Sequence, residues 1–255
     1  MHSPLLAEVR RHAESAGINL VGLVDAERFD GSQEKEFRAS RLAPKCGTIV
    51  VLGTAGRAFW QHYSAAHDPA NADPCRYARE AVRAIERRLA VAGVGCSCVP
   101  AACPGPIRFA RLGEAAGFGS VSPVSGLLLH PQFGPWLRVR AALLVDGRPF
   151  GEIPDASISD RFHPCCGCSK PCLDACPAAV HDGTDPRDLA RCATHRHAGN
   201  CEFECRVRSA CPLGAEHRDV AAENAHRHGH ALPTLRRGFG LGVWRFVPAF
   251  LRRRL

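Results

Sequence analysis

Apolar positions recur along the first part of the chain with two different periods. From about Leu5 to Ser15, Leu5, Leu6, Val9 and His12 share one face at helical spacing, and Gly17 supplies a stop, which predicts a helix. Ile18–Val24 and Thr48–Leu52 are short, nearly continuous apolar runs of the kind that form buried strands. The strongest helical repeat runs from Cys75 to Ala92. There Ala78, Ala81, Val82, Ile85, Leu89 and Ala90 recur among arginines, and Gly93 and Gly95 end the pattern. A further helix is predicted from about Ile107 to Ala116. A glycine-rich loop, Gly117 to Gly126, leads to two more strands, Leu127–His130 and Leu137–Val145, with a turn at Asp146-Gly147.

Helices and strands mix without strict βαβ alternation, so an α+β domain is expected over residues 1–157. Residues 158–222 are rich in Cys, Pro and His and poor in periodic apolar positions. Such a segment cannot build an ordinary core and must draw stability from bound metal. Residues 223–255 form a basic tail. From Ala225 to Leu255 there are seven arginines and no acidic residue, so this stretch carries nearly all of the formal charge of +8. The tail suits RNA, an acidic membrane surface or an acidic redox partner, and packing of Trp244, Phe246 and Phe250 onto the body is equally open. His226, His228 and His230 alternate with Arg227 and Gly229, after His195 and His197 further back, which suits a metal-binding tract or a solvated loop.

The mean hydropathy is −0.13. No stretch reaches the roughly 18–20 apolar residues that span a bilayer. The N-terminus shows no basic region followed by an apolar run, so a cytoplasmic protein is expected. In that compartment thiols stay reduced, which favours metal ligation or catalysis over disulfides.

The cysteines carry the chemistry. Nine of fourteen lie between Cys165 and Cys211. They run Cys165-x2-Cys168-x3-Cys172-x3-Cys176-Pro177, then Cys192, then Cys201-x3-Cys205-x5-Cys211-Pro212. A four-iron cluster needs four thiolates converging on a cube, and short spacings let one tight loop supply three corners. A proline after the last cysteine turns the chain away, and in two-cluster ferredoxins that last cysteine serves the other cluster. Zinc held by four cysteines is the alternative. Two Cys-Pro endings, four cysteines in one unbroken run and at least eight ligands favour two 4Fe-4S clusters. Cys166 is a bystander, because Cys165 gives the better gap to Cys168.

The order of elements resembles the epoxyqueuosine reductase and reductive dehalogenase superfamily. The resemblance covers Leu5 to about Ala215. It rests on Ala13–Gly22, on Cys46–Leu52, on Ala116–Gly119 with Ser125–Arg138, on Arg191-Cys192 and on the cysteine groups. It implies a nitroreductase-like, corrinoid-binding domain followed by a ferredoxin-like double 4Fe-4S domain. By the same resemblance, one cluster takes Cys165, Cys168, Cys172 and Cys211, and the other takes Cys176, Cys192, Cys201 and Cys205. Gly117, Phe118, Gly119, Ser120, Ser125, Gly126 and His130 would line a cobalamin site.

Two departures bear on activity. Family reductases carry an acidic proton donor where this chain has Cys103, and a glutamate where it has Phe109. The tyrosine donor of the dehalogenases has no match, since Tyr63 and Tyr77 are the only tyrosines. In addition, the C-terminal region expected of the tRNA enzyme is replaced by the short basic tail. A thiol of pKa about 8.5 is a poor proton donor to a developing oxyanion but a good soft ligand. Cys103 is therefore either a catalytic or ligating thiol at the corrinoid or, with Cys96 and Cys98, a small buried apolar residue.

The resemblance implies an iron–sulfur, cobalamin-dependent reductase. It would pass electrons from a low-potential donor of ferredoxin or flavodoxin type to a small-molecule or corrinoid substrate. A corrinoid-processing protein without small-molecule turnover and a plain ferredoxin-like electron carrier are the alternatives.

Overall fold

In the computed structural model, residues 3–67, 73–101, 105–180 and 188–252 are described. Strands β1 (Leu20–Asp25), β2 (Cys46–Ala55) and β3 (Cys96–Pro100) precede the two-residue strands β4 (Ser120–Val121) and β5 (Leu128–Leu129), and β6 spans Leu137–Asp146. The four longer strands form one antiparallel sheet of order β1-β2-β6-β3, while β4 pairs with β5. The predicted strand at Leu127–His130 is thus shortened to two residues.

The chain divides into two compact units, neither continuous in sequence. The first takes residues up to Ala101, Pro106–Ser120 and Leu137–Phe162; the second takes Gly105, Val121–Trp136 and the chain from His163. A single cut near residue 157, as the composition suggested, does not describe this division. Mixed helix and sheet content is plain in the first unit.

In that unit the apolar runs become the two central strands. Ile49 to Leu52 and Ala142 to Val145 are fully buried, and their register sets Val50 opposite Leu143. Helices α1 (Pro4–Glu14) and α4 (Pro74–Val91) supply the covering apolar face. Val82, Ile85 and Leu89 of α4 are buried with Val9 and Ala13 of α1 in the same cluster as Val50 and Leu143. Asp73 caps α4, its carboxylate accepting the Cys75 N–H at 2.8 Å, with Pro74 at the first helical position. Arg88 donates two bonds to Glu8, at 2.6 and 2.8 Å, and so ties α4 to α1. Helices α2 (Ala26–Gly31), α3 (Ala58–Ala66) and α5 (Phe109–Ala115) complete the unit. The first two were not legible, because neither presents a long apolar repeat.

The second unit has few buried apolar residues: Leu129, Trp136, Val180, Ala193 and Val207 stand out. Its helices are short, α6 (Pro171–Asp174), α7 (Leu189–His197) and α8 (Arg206–Ala210), except for α9 (Ala221–Phe239). The tail is therefore largely helical, and His226, His228 and His230 fall inside α9 and not in a loop. Composition disguised this helix. Its start has no side-chain cap, and Pro233 lies within it, removing one helical donor. It ends as helices commonly do, on Gly240 in the left-handed region, with Leu241 N–H reaching the Arg236 carbonyl at 2.8 Å. No helix among the described residues is long and apolar enough to cross a membrane.

Candidate metal centre

Four thiols of the second unit, Cys165, Cys168, Cys172 and Cys211, line one cavity of about 410 Å3 together with Ser122 and Ser125. Local backbone geometry brings them there. Lys170 adopts a left-handed conformation (φ 58°), which turns the chain so that Pro171 can open α6 and Cys172 can sit in its first turn. Cys211 follows the last residue of α8, and the carbonyl of Arg208 accepts its N–H. The loop carrying Cys211 runs tightly against Val121–Trp136. A Cβ on Gly134 (φ +53°) would strike the Leu213 carbonyl, and one on Gly214 (φ +65°) would strike the Phe133 backbone. Two glycines thus make the approach possible.

The thiols sense one another. Burial pushes the Cys172 thiol up from its ordinary value, and Cys211, Cys165 and Cys168 push it further. Burial likewise raises Cys211, with Cys165 and Cys168 adding to it and the Leu213 N–H and Arg218 opposing. Four thiolates gathered this way repel each other unless a multiply charged cation stands between them. That donor set, ringed around a cavity, fits an iron–sulfur cube.

A second set forms around α7 and α8. Burial pushes the Cys201 thiol up, Cys205 and Cys176 push it further, and Arg206 and Arg196 oppose. Cys192 lies in α7, one helical turn before Arg196, whose side chain also feels Cys205 and Cys201. Cys201 itself is held at φ 48°. Cys176 ends the first sequence run yet neighbours Cys201 of the later group. Among the described residues, no three His, Cys, Asp or Glu side chains are arranged to hold a single metal ion. Cys166 is exposed and does not line the cavity.

The residues linked to cobalamin by resemblance are divided. Gly117, Phe118, Gly119 and Ser120 belong to the first unit; Ser125, Gly126 and His130 belong to the second. Phe118 is only 5% exposed, and its ring fills the space that side chains on Gly22 and Gly53 would need. Gly117 adopts φ +77° with the Ala156 carbonyl 2.6 Å from where a Cβ would be. Ser125 lines the thiol cavity. The His130 Nδ1 accepts the N–H groups of Gln132 at 3.0 Å and Phe133 at 3.2 Å, so that nitrogen organises a turn. Burial, then His217, pulls the His130 pKa down. Gly117, Phe118 and His130 serve packing and turn geometry within their own units. Cys103 lies outside the described residues. Cys96 and Cys98 are half-buried on β3 against the core, with the Cys98 thiol pushed up to about 12 by burial, Glu86 and Cys96.

Two residues near the thiols were not singled out from sequence. Ser122 belongs to a Ser-Pro-Val-Ser turn, a recognisable pattern in which a hydroxyl bonds the backbone ahead of it. Arg196 follows Cys192 by four residues, the spacing that puts both on one helix face.

No protein-family profile matches the chain. Among curated proteins it is similar to the epoxyqueuosine reductase of Gloeobacter violaceus, 22% identical over 236 residues, covering 78% of this chain and 67% of that protein. Among solved structures it superposes on epoxyqueuosine reductase bound to a tRNA stem loop with a TM-score of 0.59 at 18% identity, covering 86% of this chain and 68% of that one. The Bacillus subtilis epoxyqueuosine reductase gives 0.59 at 19%, covering 85% and 67%. A catabolic reductive dehalogenase in complex with 3-bromo-4-hydroxybenzoic acid gives 0.57 at 14%, covering 95% of this chain but 37% of the dehalogenase. In sequence the chain is similar to an epoxyqueuosine reductase, and in fold to epoxyqueuosine reductases and a reductive dehalogenase.

Proposed function

We propose that this chain is a redox protein of the reductase type found in its superfamily, holding two 4Fe-4S clusters in its second unit. The observation that carries the reading is the set of four cysteines around one cavity, with four more gathered about α7 and α8. Cys165, Cys168, Cys172 and Cys211 would hold one cluster; Cys176, Cys192, Cys201 and Cys205 would hold the other. Such clusters accept and release single electrons at potentials set by charge, hydrogen bonding and exposure. The protein's own part is to hold the sulfurs apart, keep them half-buried and supply the neighbouring N–H, O–H and guanidinium groups. The sparse apolar core of the second unit fits a segment stabilised by what it binds.

An external donor of ferredoxin or flavodoxin type would supply the electrons. Their destination, by resemblance, is a cobalamin near Gly117–Ser120, Ser125, Gly126 and His130, with Cys103 as its candidate catalytic thiol. Cys103 and Phe109 stand where acidic residues are expected, which favours a second reading: a protein that handles a corrinoid without small-molecule turnover.

Anaerobic reconstitution tests the core of the proposal. About eight irons and eight acid-labile sulfides per chain are expected, with the electron paramagnetic resonance signals of reduced cubane clusters. Zinc in their place, or no iron and sulfide, overturns it. Spectra of the anaerobic protein with added cobalamin then test the corrinoid, and turnover with a reduced donor separates the two readings.

A further inference from the structure

Ser122 is 4% exposed, and its hydroxyl oxygen lies 3.3 Å from the Cys165 sulfur. The same oxygen accepts the backbone N–H of Val124 at 3.2 Å and of Ser125 at 3.0 Å. A hydroxyl has two lone pairs and one proton. The turn occupies both acceptor positions, so what the oxygen has left to offer is its proton, and Cys165 is the neighbour placed to receive it. A thiolate that ligates iron has no proton to give, which fixes the direction: the Ser122 hydroxyl donates and the Cys165 sulfur accepts.

The neighbouring sulfurs are treated similarly by the backbone. Lys170 N–H donates to the Cys168 sulfur at 3.3 Å, and Leu213 N–H reaches Cys211. Those donors persist through substitution; the Ser122 hydroxyl does not. Hydrogen bonds to the sulfurs of a cluster draw charge from the thiolates and ease the arrival of an electron. The second set is compensated differently, by the Arg206 and Arg196 guanidinium groups.

We infer that Ser122 is a positioning residue that sets the reduction potential of the cluster held by Cys165, Cys168, Cys172 and Cys211, by donating its hydroxyl proton to the Cys165 sulfur. This inference rests on the two-cluster reading above and adds to it a determinant of which cluster is easier to reduce.

The test compares the full-length native chain with Ser122→Ala and Ser122→Thr, all reconstituted anaerobically, by metal analysis and a spectroscopically followed redox titration. Ser122→Ala should keep its full iron and sulfide while one of the two reduction waves moves to a more negative potential and the other stays in place. Ser122→Thr, which retains the hydroxyl, should leave both waves at their native positions. Full iron content with both waves unmoved in Ser122→Ala overturns the inference and leaves the cluster reading standing. So does loss of one cluster's iron in Ser122→Ala with retention in Ser122→Thr, because the hydroxyl would then fasten the ligand loop without tuning it. If the native chain itself takes up no iron and sulfide, the two-cluster reading fails and this inference falls with it.

Discussion

Arg196 donates from its Nη2 to the backbone carbonyl of His228 at 2.6 Å, joining the helix that carries Cys192 to the long C-terminal helix. A second bond reinforces the junction, from Arg236 Nε to the Nδ1 of His197 at 3.0 Å. One guanidinium thus serves both as a clasp for α9 and as a positive charge that acts on Cys192, Cys201 and Cys205. Removing it should affect both roles. Arg196→Ala is expected to lower the local stability of α9 by about 1.5–3 kcal/mol, the range for a hydrogen bond to a charged group. Faster hydrogen exchange across α9, with little change in α4 of the first unit, is the expected readout.

The pairing of cysteines makes a prediction that spacing alone does not. Cys176→Ser and Cys201→Ser should deplete the same cluster, although they come from different sequence groups. Cys172→Ser and Cys211→Ser should deplete the other. Each variant should retain about half of the iron, one cube of four thiolates having been spared. Metal analysis with spectra of each variant checks it; Cys166→Ser should retain the full complement.

Gly134→Ala probes the packing of the ligand loop. The residue sits at φ +53°, and the new methyl group would meet the Leu213 carbonyl. The left-handed conformation alone costs a non-glycine residue about 1–2 kcal/mol, and the clash adds to it. Lower thermal stability and selective loss of the cluster that includes Cys211 are the expected outcomes, seen by calorimetry and metal analysis.

Alkaline pH should weaken the first unit. Burial holds the thiols of Cys46 and Cys98 up to about 11 and about 12 from an ordinary 9.0. Between the ordinary value and these raised ones, the unfolded chain loses protons that the folded chain keeps. The stability these thiols contribute is therefore complete below pH 9.0 and is progressively lost as pH rises toward about 12. Denaturant midpoints measured at pH 8 and again above pH 10 should show the decline, and Cys98→Ala should reduce it.

Much of the first unit is legible in the sequence alone. The repeat of Ala78, Val82, Ile85 and Leu89 states a helix with one buried face, and α4 buries all four. The runs around Val50 and Leu143 are apolar on both sides, as central strands covered on both faces must be. The grouping of cysteines was equally visible, because ligand chemistry demands sulfur at short spacing whatever the surrounding fold. Those features are local: each follows from the period or the reactivity of residues a few positions apart.

The rest depends on chain segments far apart in sequence. Nothing in the spacing reveals that β6 lies between β2 and β3, since strand order follows from which apolar faces meet. Val121–Trp136 reads as the end of a glycine-rich loop and a following strand of the first domain, yet Gly134 and Gly214 allow it to pack beside the Cys211 loop, where Ser122 meets Cys165. The histidine tract of the tail reads as a metal-binding stretch or a solvated loop, and Gly229 and Pro233 are poor helix formers, yet α9 forms where Arg196 and Arg236 hold it to α7. Local propensity and ligand identity are written into neighbouring residues. Which segments share a core, and which hydroxyl or guanidinium faces a sulfur, arises only once distant parts of the chain have been brought within a few ångströms.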